Sequence, residues 1–214
     1  MIPQFHASSI GMFLRCPESW RRRYICGDKI PPTASMILGT SVHAGVERNL
    51  RSKLETGATL PVAEVQAVAR DAVIAEWARG VGDGDQGETI DGAVTLTALH
   101  CLEIAPVIIP THLEQAFNLG IGMPFELSGR IDIREKTRIR DTKTSGKSPQ
   151  SDAAETSIQL TAYALAVYSA EQIIPTTVGL DYLVRLKTPR VVIQQSQRDS
   201  EDFKTLLRIL ERIA

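Results

Sequence analysis

Two short β-like runs, residues 125–134 and 138–144, constrain the fold most strongly because so few residues separate them. An antiparallel hairpin is the simplest arrangement of two such runs. With residues 136–137 at the tip, Asp132 directly faces Asp141 on the neighbouring strand. Directly opposed residues have Cβ atoms roughly 4.5 to 5.5 Å apart, so the two carboxylates could share one cation. Lys-Thr is not a favoured hairpin turn, which leaves the register open by about one residue.

The rest of the chain divides into a helical first half and a mixed second half. Apolar spacing predicts helices over residues 8–24, 39–50, 65–77 and 94–108, and five glycines predict an exposed loop over 80–92. Further strands are predicted at 114–119, 176–186 and 190–195, and further helices at 153–170 and 200–213. We therefore expect an α/β fold with a central mixed β-sheet flanked by helices and a helical N-terminal region. Residues 1–214 should form one domain, mainly helical over 1–112, with the sheet core and the hairpin over 113–214.

Strand alternation gives the hairpin a second property. Asp141 and Lys143 are two residues apart, so their side chains point to the same face of the second strand. Thr142 points away, which leaves its backbone carbonyl as a further oxygen ligand. Magnesium favours sites in which a few protein oxygens, water and a substrate phosphate complete an octahedron. The pattern therefore indicates metal-assisted phosphodiester hydrolysis, with Lys143 stabilising the transition state. The alternative is an exposed hairpin whose charged residues only solvate one face, because Asp-x-Lys alone is a weak signal.

The overall charge of the chain gives no preference for a polyanionic partner. There are 24 basic and 25 acidic residues, a formal net charge of -1. Nucleic acid would therefore need a local basic surface or a bound metal. Arg21, Arg22 and Arg23 are one candidate for phosphate contacts, and a solvated helix face is the alternative.

Hydropathy and cysteine usage indicate the compartment. The chain has no run of about 20 consecutive apolar residues and no basic N-terminal segment followed by an apolar core. We expect a cytoplasmic protein with no membrane partner. Cys16, Cys26 and Cys101 are widely scattered and form no Cys-x-x-Cys pair, which predicts reduced thiols rather than disulfides or a zinc site.

Several short motifs occur in an order that resembles the RecB-like exonuclease branch of the PD-(D/E)XK nuclease superfamily. They are Ser8-Ser9, Cys16-Pro17 through Tyr24, Gly39 to His43, Gly129 to Asp132, Asp141 to Lys143, and Gln159 to Tyr163. Each motif is short, but together their order and spacing are specific. The resemblance implies a restriction-endonuclease-like core and a DNA substrate.

The resemblance also implies roles for individual residues. Asp132, Asp141, the Thr142 carbonyl and His43 would hold Mg²⁺, with Mn²⁺ as a substitute, and Lys143 would be catalytic. Gln159 and Tyr163, one helical turn apart, would face the site and help place DNA. Glu114 resembles a further acid of the active site. His43 could instead be a hydrogen-bonded structural residue, Gln159 a solvated helix residue and Tyr163 a core aromatic.

Relatives in the helicase-nuclease and CRISPR-associated groups often hold an iron-sulfur cluster with four cysteines. Only Cys16 fits that arrangement, so we expect no iron-sulfur cluster in this chain. The resemblance leaves open a helicase, recombinase or CRISPR-associated partner, and both exonuclease and endonuclease activity.

Two other functions compete with this interpretation. A P-loop would use Gly146-Lys147-Ser148, but Asp141 occupies the position of the required upstream glycine. A non-catalytic nucleic-acid-binding module with a nuclease-like fold is the stronger alternative.

Overall fold

The computed structural model describes residues 4–28 and 30–213, and its centre is a six-stranded mixed β-sheet. The strands are β1 Gln4–His6, β2 His112–Gly120, β3 Glu126–Arg134, β4 Arg138–Ser145, β5 Thr177–Val184 and β6 Arg190–Ser196. They run in the order β1-β3-β4-β5-β6, with β2 paired to β3. The β1–β3 and β4–β5 pairs are parallel, and the other pairs are antiparallel.

Helices cover both faces of this sheet. They are α1 Ile10–Arg15, α2 Pro17–Tyr24, α3 Ala34–Thr56, α4 Val62–Trp77, α5 Gln86–Glu103, α6 Ile158–Glu171 and α7 Ser200–Glu211. One hydrophobic cluster joins α3, α4 and α5 to one face of the sheet, and contains Leu183 of β5. A second cluster joins α6 and α7 to the other face, and contains Leu180 of the same strand. The predicted mixed sheet with flanking helices and a helical N-terminal region is confirmed.

The hairpin register is also the predicted one. Ile133 pairs with Arg140 and Arg134 with Ile139, so that Asp132 faces Asp141 at the next position. The backbone ladder between β3 and β4 ends before that position, and β4 continues by pairing with β5 along its whole length.

The boundaries of α5 differ from the sequence prediction. The helix begins at Gln86, where the Asp85 side chain caps it by accepting a hydrogen bond from Glu88 N (2.9 Å), and it ends at Glu103. The prediction of an exposed loop over 80–92 is therefore wrong from Gln86 onward. Gly92 serves close packing rather than a turn, because a Cβ there would lie 2.8 Å from Leu38 Cδ1.

Residues 86–107 are long and apolar enough to pass as a membrane span by length and composition alone. In the structure this segment packs against α3 and α4, and 39% of its most apolar 18-residue window is buried inside the protein. Its apolar character is accounted for by its place in the core.

Candidate active site

The site lies at a gap in the sheet beside β3. On one edge of β3, β1 pairs with residues 126–128 and β4 pairs with residues 133–134. In the described part of the chain, residues 129–132 have no strand partner on that edge. Thr142 N of β4 instead donates a hydrogen bond to Asp132 Oδ2 (3.3 Å), so a side chain takes the place of the backbone ladder. The carboxylate of Asp132 is thereby held between the two separating strands.

Three side chains from different elements meet at this gap. His43 of α3, Glu114 of β2 and Asp132 of β3 each offer a ligand atom, and these atoms lie within 4.8 Å of one another. His43 Nδ1 is 3.4 Å from Asp132 Oδ2. One imidazole nitrogen with two carboxylate oxygens is a donor set that suits a divalent cation.

Glu114 reaches the cluster through an unusual backbone conformation. Leu113 pairs with Ile133 and Gln115 with Ile131, so Glu114 lies opposite Asp132 without forming a ladder pair. Its φ is +50°, a left-handed conformation that costs a non-glycine residue roughly 1 to 2 kcal/mol. Such conformations concentrate at functional sites, where the surrounding structure maintains them.

Asp141 lies on the neighbouring strand, outside the His43, Glu114 and Asp132 group, and is paired with Lys143. Lys143 Nζ is 2.7 Å from Asp141 Oδ2, a close ion pair whose angle does not meet hydrogen-bond geometry. Asp141 is only 1% exposed, and neither carboxylate oxygen has a hydrogen-bond partner among the described residues. The Lys143 ammonium offsets part of the cost of burying this charge, and the lone pairs of the carboxylate that form no hydrogen bond are available to a metal. The residues present therefore fit a bound metal next to the Lys143 ammonium.

The electrostatics of the site favour cation binding. Burial raises the pKa of Asp132 well above its usual value, and the negative charges of Asp141 and Glu114 raise it further. Burial, together with the charge of Lys143, lowers the pKa of His43, which leaves the imidazole neutral and able to act as a ligand at neutral pH. Burial alone would lower the pKa of Lys143, but Asp141 and Asp132 outweigh it and the pKa is raised. Lys143 is therefore a permanent cation in this site.

Helix α6 places a polar chain against Lys143. Lys143 Nζ donates to Gln159 Oε1 (3.1 Å), and Gln159 Nε2 donates to the Tyr163 hydroxyl (2.6 Å). Tyr163 is 3% exposed and makes an edge-on contact with Phe117. Burial, followed by the charge of Asp141, raises the pKa of Tyr163. Gln159 therefore lies at the site, and Tyr163 supports it from the core.

Sequence reasoning missed a buried ionic network behind β4. Arg140 donates to Glu135 Oε2 (2.9 Å) and to both Asp181 oxygens (3.0 and 3.2 Å), and Arg140 and Asp181 are almost fully buried. This network ties the hairpin to β5 one residue before Asp141. The signal in the sequence was Asp181 itself, a single charge within the apolar run of β5.

The raised pKa of Asp132 predicts that the charged carboxylate, the form that binds a cation, destabilises the metal-free protein. Because its folded-state pKa lies above the unfolded value, the metal-free protein loses stability as pH rises through that range. Asp132→Asn keeps an acceptor for Thr142 N and should stabilise the metal-free protein at neutral pH by about 0.5 to 2 kcal/mol. The gain should shrink as pH falls towards the ordinary pKa of an aspartate side chain, where the wild-type carboxyl is protonated in both the folded and the unfolded protein.

Urea denaturation in chelator at neutral and acidic pH measures this difference. Asp152→Asn, at an exposed position, is the matched control and should show no gain. If Asp132 is a metal ligand, saturating Mg²⁺ should reverse the order, because wild type then gains more binding free energy than the variant. A metal-free Asp132→Asn protein that is less stable than wild type at neutral pH would contradict the assigned electrostatics.

Comparison with known proteins gives a family and a fold. A profile of the PD-(D/E)XK nuclease superfamily matches residues 4–214. Among solved structures, a protein from Eubacterium rectale that is provisionally named an exonuclease superimposes with a TM-score of 0.66 at 10% sequence identity. The match covers 97% of this chain and 77% of that chain, and at this identity it shows the fold alone. No curated protein matches the chain.

Proposed function

This chain belongs to the PD-(D/E)XK nuclease superfamily, and on that premise we propose that it is a metal-dependent deoxyribonuclease of the RecB-like exonuclease type. The observation that carries the proposal is the meeting of His43, Glu114 and Asp132 at the gap in the sheet, beside the Asp141–Lys143 pair. These groups come from four different elements, and neither a solvated hairpin nor a purely structural His43 requires them to meet.

The proposed metal is Mg²⁺, with Mn²⁺ as a substitute. Asp132, Asp141, His43 and the Thr142 carbonyl would hold it, and Glu114 is placed to add a further oxygen. When bound, such an ion lowers the pKa of water and neutralises charge that develops on a phosphate. The carboxylate and carbonyl oxygens in this set are the type of ligand that suits Mg²⁺ and Mn²⁺.

The protein's own residues supply orientation and charge. The Lys143 ammonium is fixed between Asp141 Oδ2 and Gln159 Oε1, so its position is set before substrate arrives. A preorganised cation stabilises the extra negative charge of a phosphodiester in the transition state without reorganising during the reaction. The buried Arg140 network fixes the strand that carries both Asp141 and Lys143.

The remaining parts of the proposal concern setting and partners. Residues 1–214 act as one domain in this proposal, which is supported by two hydrophobic clusters that pack against the same sheet. The cytoplasmic setting, the lack of an iron-sulfur cluster, and a helicase, recombinase or CRISPR-associated partner stay predictions. Within the described residues, all three cysteines are free thiols, and Cys16 and Cys26 are exposed.

Digestion of end-labelled linear, circular and single-stranded DNA by purified protein tests the function. We expect cleavage of linear DNA in Mg²⁺ or Mn²⁺, none in chelator, and resistance of closed circles. Cleaved circles would indicate an endonuclease instead. Binding of DNA with no metal-dependent cleavage on any substrate would favour the non-catalytic module and defeat the proposal.

A further inference from the structure

We propose that four basic residues, located in the loops after β4 and β5 and at the start of β6, bind phosphates of the substrate strand beyond the scissile bond. We call this group the basic edge, and it consists of Lys147, Arg185, Lys187 and Arg190. The inference rests on the proposed nuclease function and adds the surface that guides nucleic acid to the site.

The strand register places the basic edge next to the catalytic lysine. Lys143 pairs with Tyr182 and Ser145 pairs with Val184, after which both strands end in loops. Arg185 N donates to Ser145 O (2.7 Å), which holds the two loops together. At about 3.3 Å per residue, the loops begin roughly 7 to 10 Å beyond Lys143. A strand of nucleic acid whose scissile phosphate lies at Lys143 therefore reaches the loops within one or two nucleotides.

The local charge is strongly positive although the chain as a whole is not. Residues 142–151 and 182–198 contain no Asp or Glu, whereas the net charge of the whole chain is -1. All four side chains of the basic edge are exposed. None forms an ion pair with the residues that the structure describes, and Arg190 Nη2 only donates to Ser148 Oγ (2.6 Å). Their charges are available to a polyanion.

A cavity of about 310 Å³ lies beside the loops and contains both basic and acidic residues in its lining. Arg185 and Gly146 line this cavity together with Asp83, Asp85 and Glu88. Asp83 and Asp85 accept hydrogen bonds from helix backbone N–H groups, but all three acids would still repel phosphate. We therefore expect phosphates to lie against the loop residues rather than beside these acids.

Packing against α5 also limits where the Arg185 side chain can lie. Its Nη1 lies 3.2 Å from the position that a Cβ on Gly92 would occupy, and its Cδ is equally close. A side chain at Gly92 would displace Arg185, so the glycine leaves room for the observed position of the guanidinium.

The arginines of α2 are the rival surface, and their partners make them a weaker candidate. Arg21 is paired with Glu18 (2.7 Å) and Arg22 with Asp28 (3.2 Å). Arg23 lies over the ring of Tyr24, 5.9 Å from its centroid. The three arginines are exposed, so their replacement is a control for the loss of positive charge at a different surface.

The test replaces each member of the basic edge with glutamine and measures binding in chelator. The probes are fluorescein-labelled single-stranded and duplex DNA, followed by anisotropy at several salt concentrations. Each lost phosphate contact lowers the slope of log K against log salt by about 0.7 for single strands and about 0.9 for duplex. We expect the variant K147Q/R185Q/K187Q/R190Q to have a single-strand slope smaller by about 2 to 3 than that of wild type. The slope of R21Q/R22Q/R23Q should equal that of wild type.

The K187Q/R190Q pair repeats the test with less perturbation, and should lose about 1.4 from the single-strand slope. Wild-type slopes in both basic-edge variants, or a larger loss in the α2 variant, would overturn the inference. So would tighter binding of poly-glutamate than of DNA, because the surface would then fit an acidic protein. Metal-dependent cleavage by wild type is measured separately. The proposed nuclease function and the proposed phosphate binding by the basic edge can therefore be contradicted independently of each other.

Discussion

Lys143→Ala is expected to bind metal normally and to cleave DNA about 10² to 10³ times more slowly than wild type in single-turnover reactions. The substitution leaves His43, Glu114, Asp132 and Asp141 in place, so the proposed metal ligands remain. It removes the one cation that Asp141 and Gln159 hold in position. The lost rate therefore measures preorganised charge rather than metal occupancy.

Two further variants make this result specific. Lys143→Arg should restore little activity, because a planar guanidinium cannot place its charge where the compact ammonium lies. Lys136→Ala removes an exposed lysine at the hairpin tip and should cleave like wild type. Near-normal turnover in Lys143→Ala would remove the catalytic assignment.

Asp141→Ala is expected to weaken Mg²⁺ binding strongly and to abolish cleavage at the same time. The variant removes a buried carboxylate that we propose as a metal ligand, and whose oxygens have no hydrogen-bond partner among the described residues. It also leaves the Lys143 ammonium without its close partner, which adds a second cation to the space that the metal would enter.

Calorimetric titration of Mg²⁺ into wild type and Asp141→Ala measures the loss of metal affinity. Single-turnover cleavage by the same two proteins measures the loss of activity. Asp152→Ala, at an exposed position, is the control for loss of one carboxylate. Unchanged metal affinity in Asp141→Ala would show that His43, Glu114 and Asp132 suffice as ligands. Asp141 would then serve only to position Lys143.

Local rules in the sequence were enough to predict the active-site hairpin. Alternation put Asp141 and Lys143 on one face, and the length of the turn put Asp132 opposite Asp141, as the register shows. Both inferences use neighbours in the chain, where strand geometry leaves few alternatives.

The features that sequence reasoning missed depend on distant segments or on glycines. β1 has only three residues, too few for a periodic signal, and its pairing with β3 forms one side of the gap. The start of α5 was hidden because Gly87 and Gly92 resemble loop residues, although Gly92 is required by Leu38 and Arg185. The bond from Arg140 to Asp181 joins strands that are separated along the chain by α6.

The pairing of β1 with β3 sets an order of events during synthesis on the ribosome. His6 contacts Ser128 across 122 positions of the chain, and β4 pairs in parallel with β5, which is made still later. A chain emerging at about 5 to 20 residues per second completes its N-terminal helices long before it completes the gap beside β3. Lys143 and Gln159 also meet only after α6 has been made. Nascent chains therefore carry His43 before Glu114, Asp132 and Lys143 have been made, and the complete site can form only after the synthesis of α6.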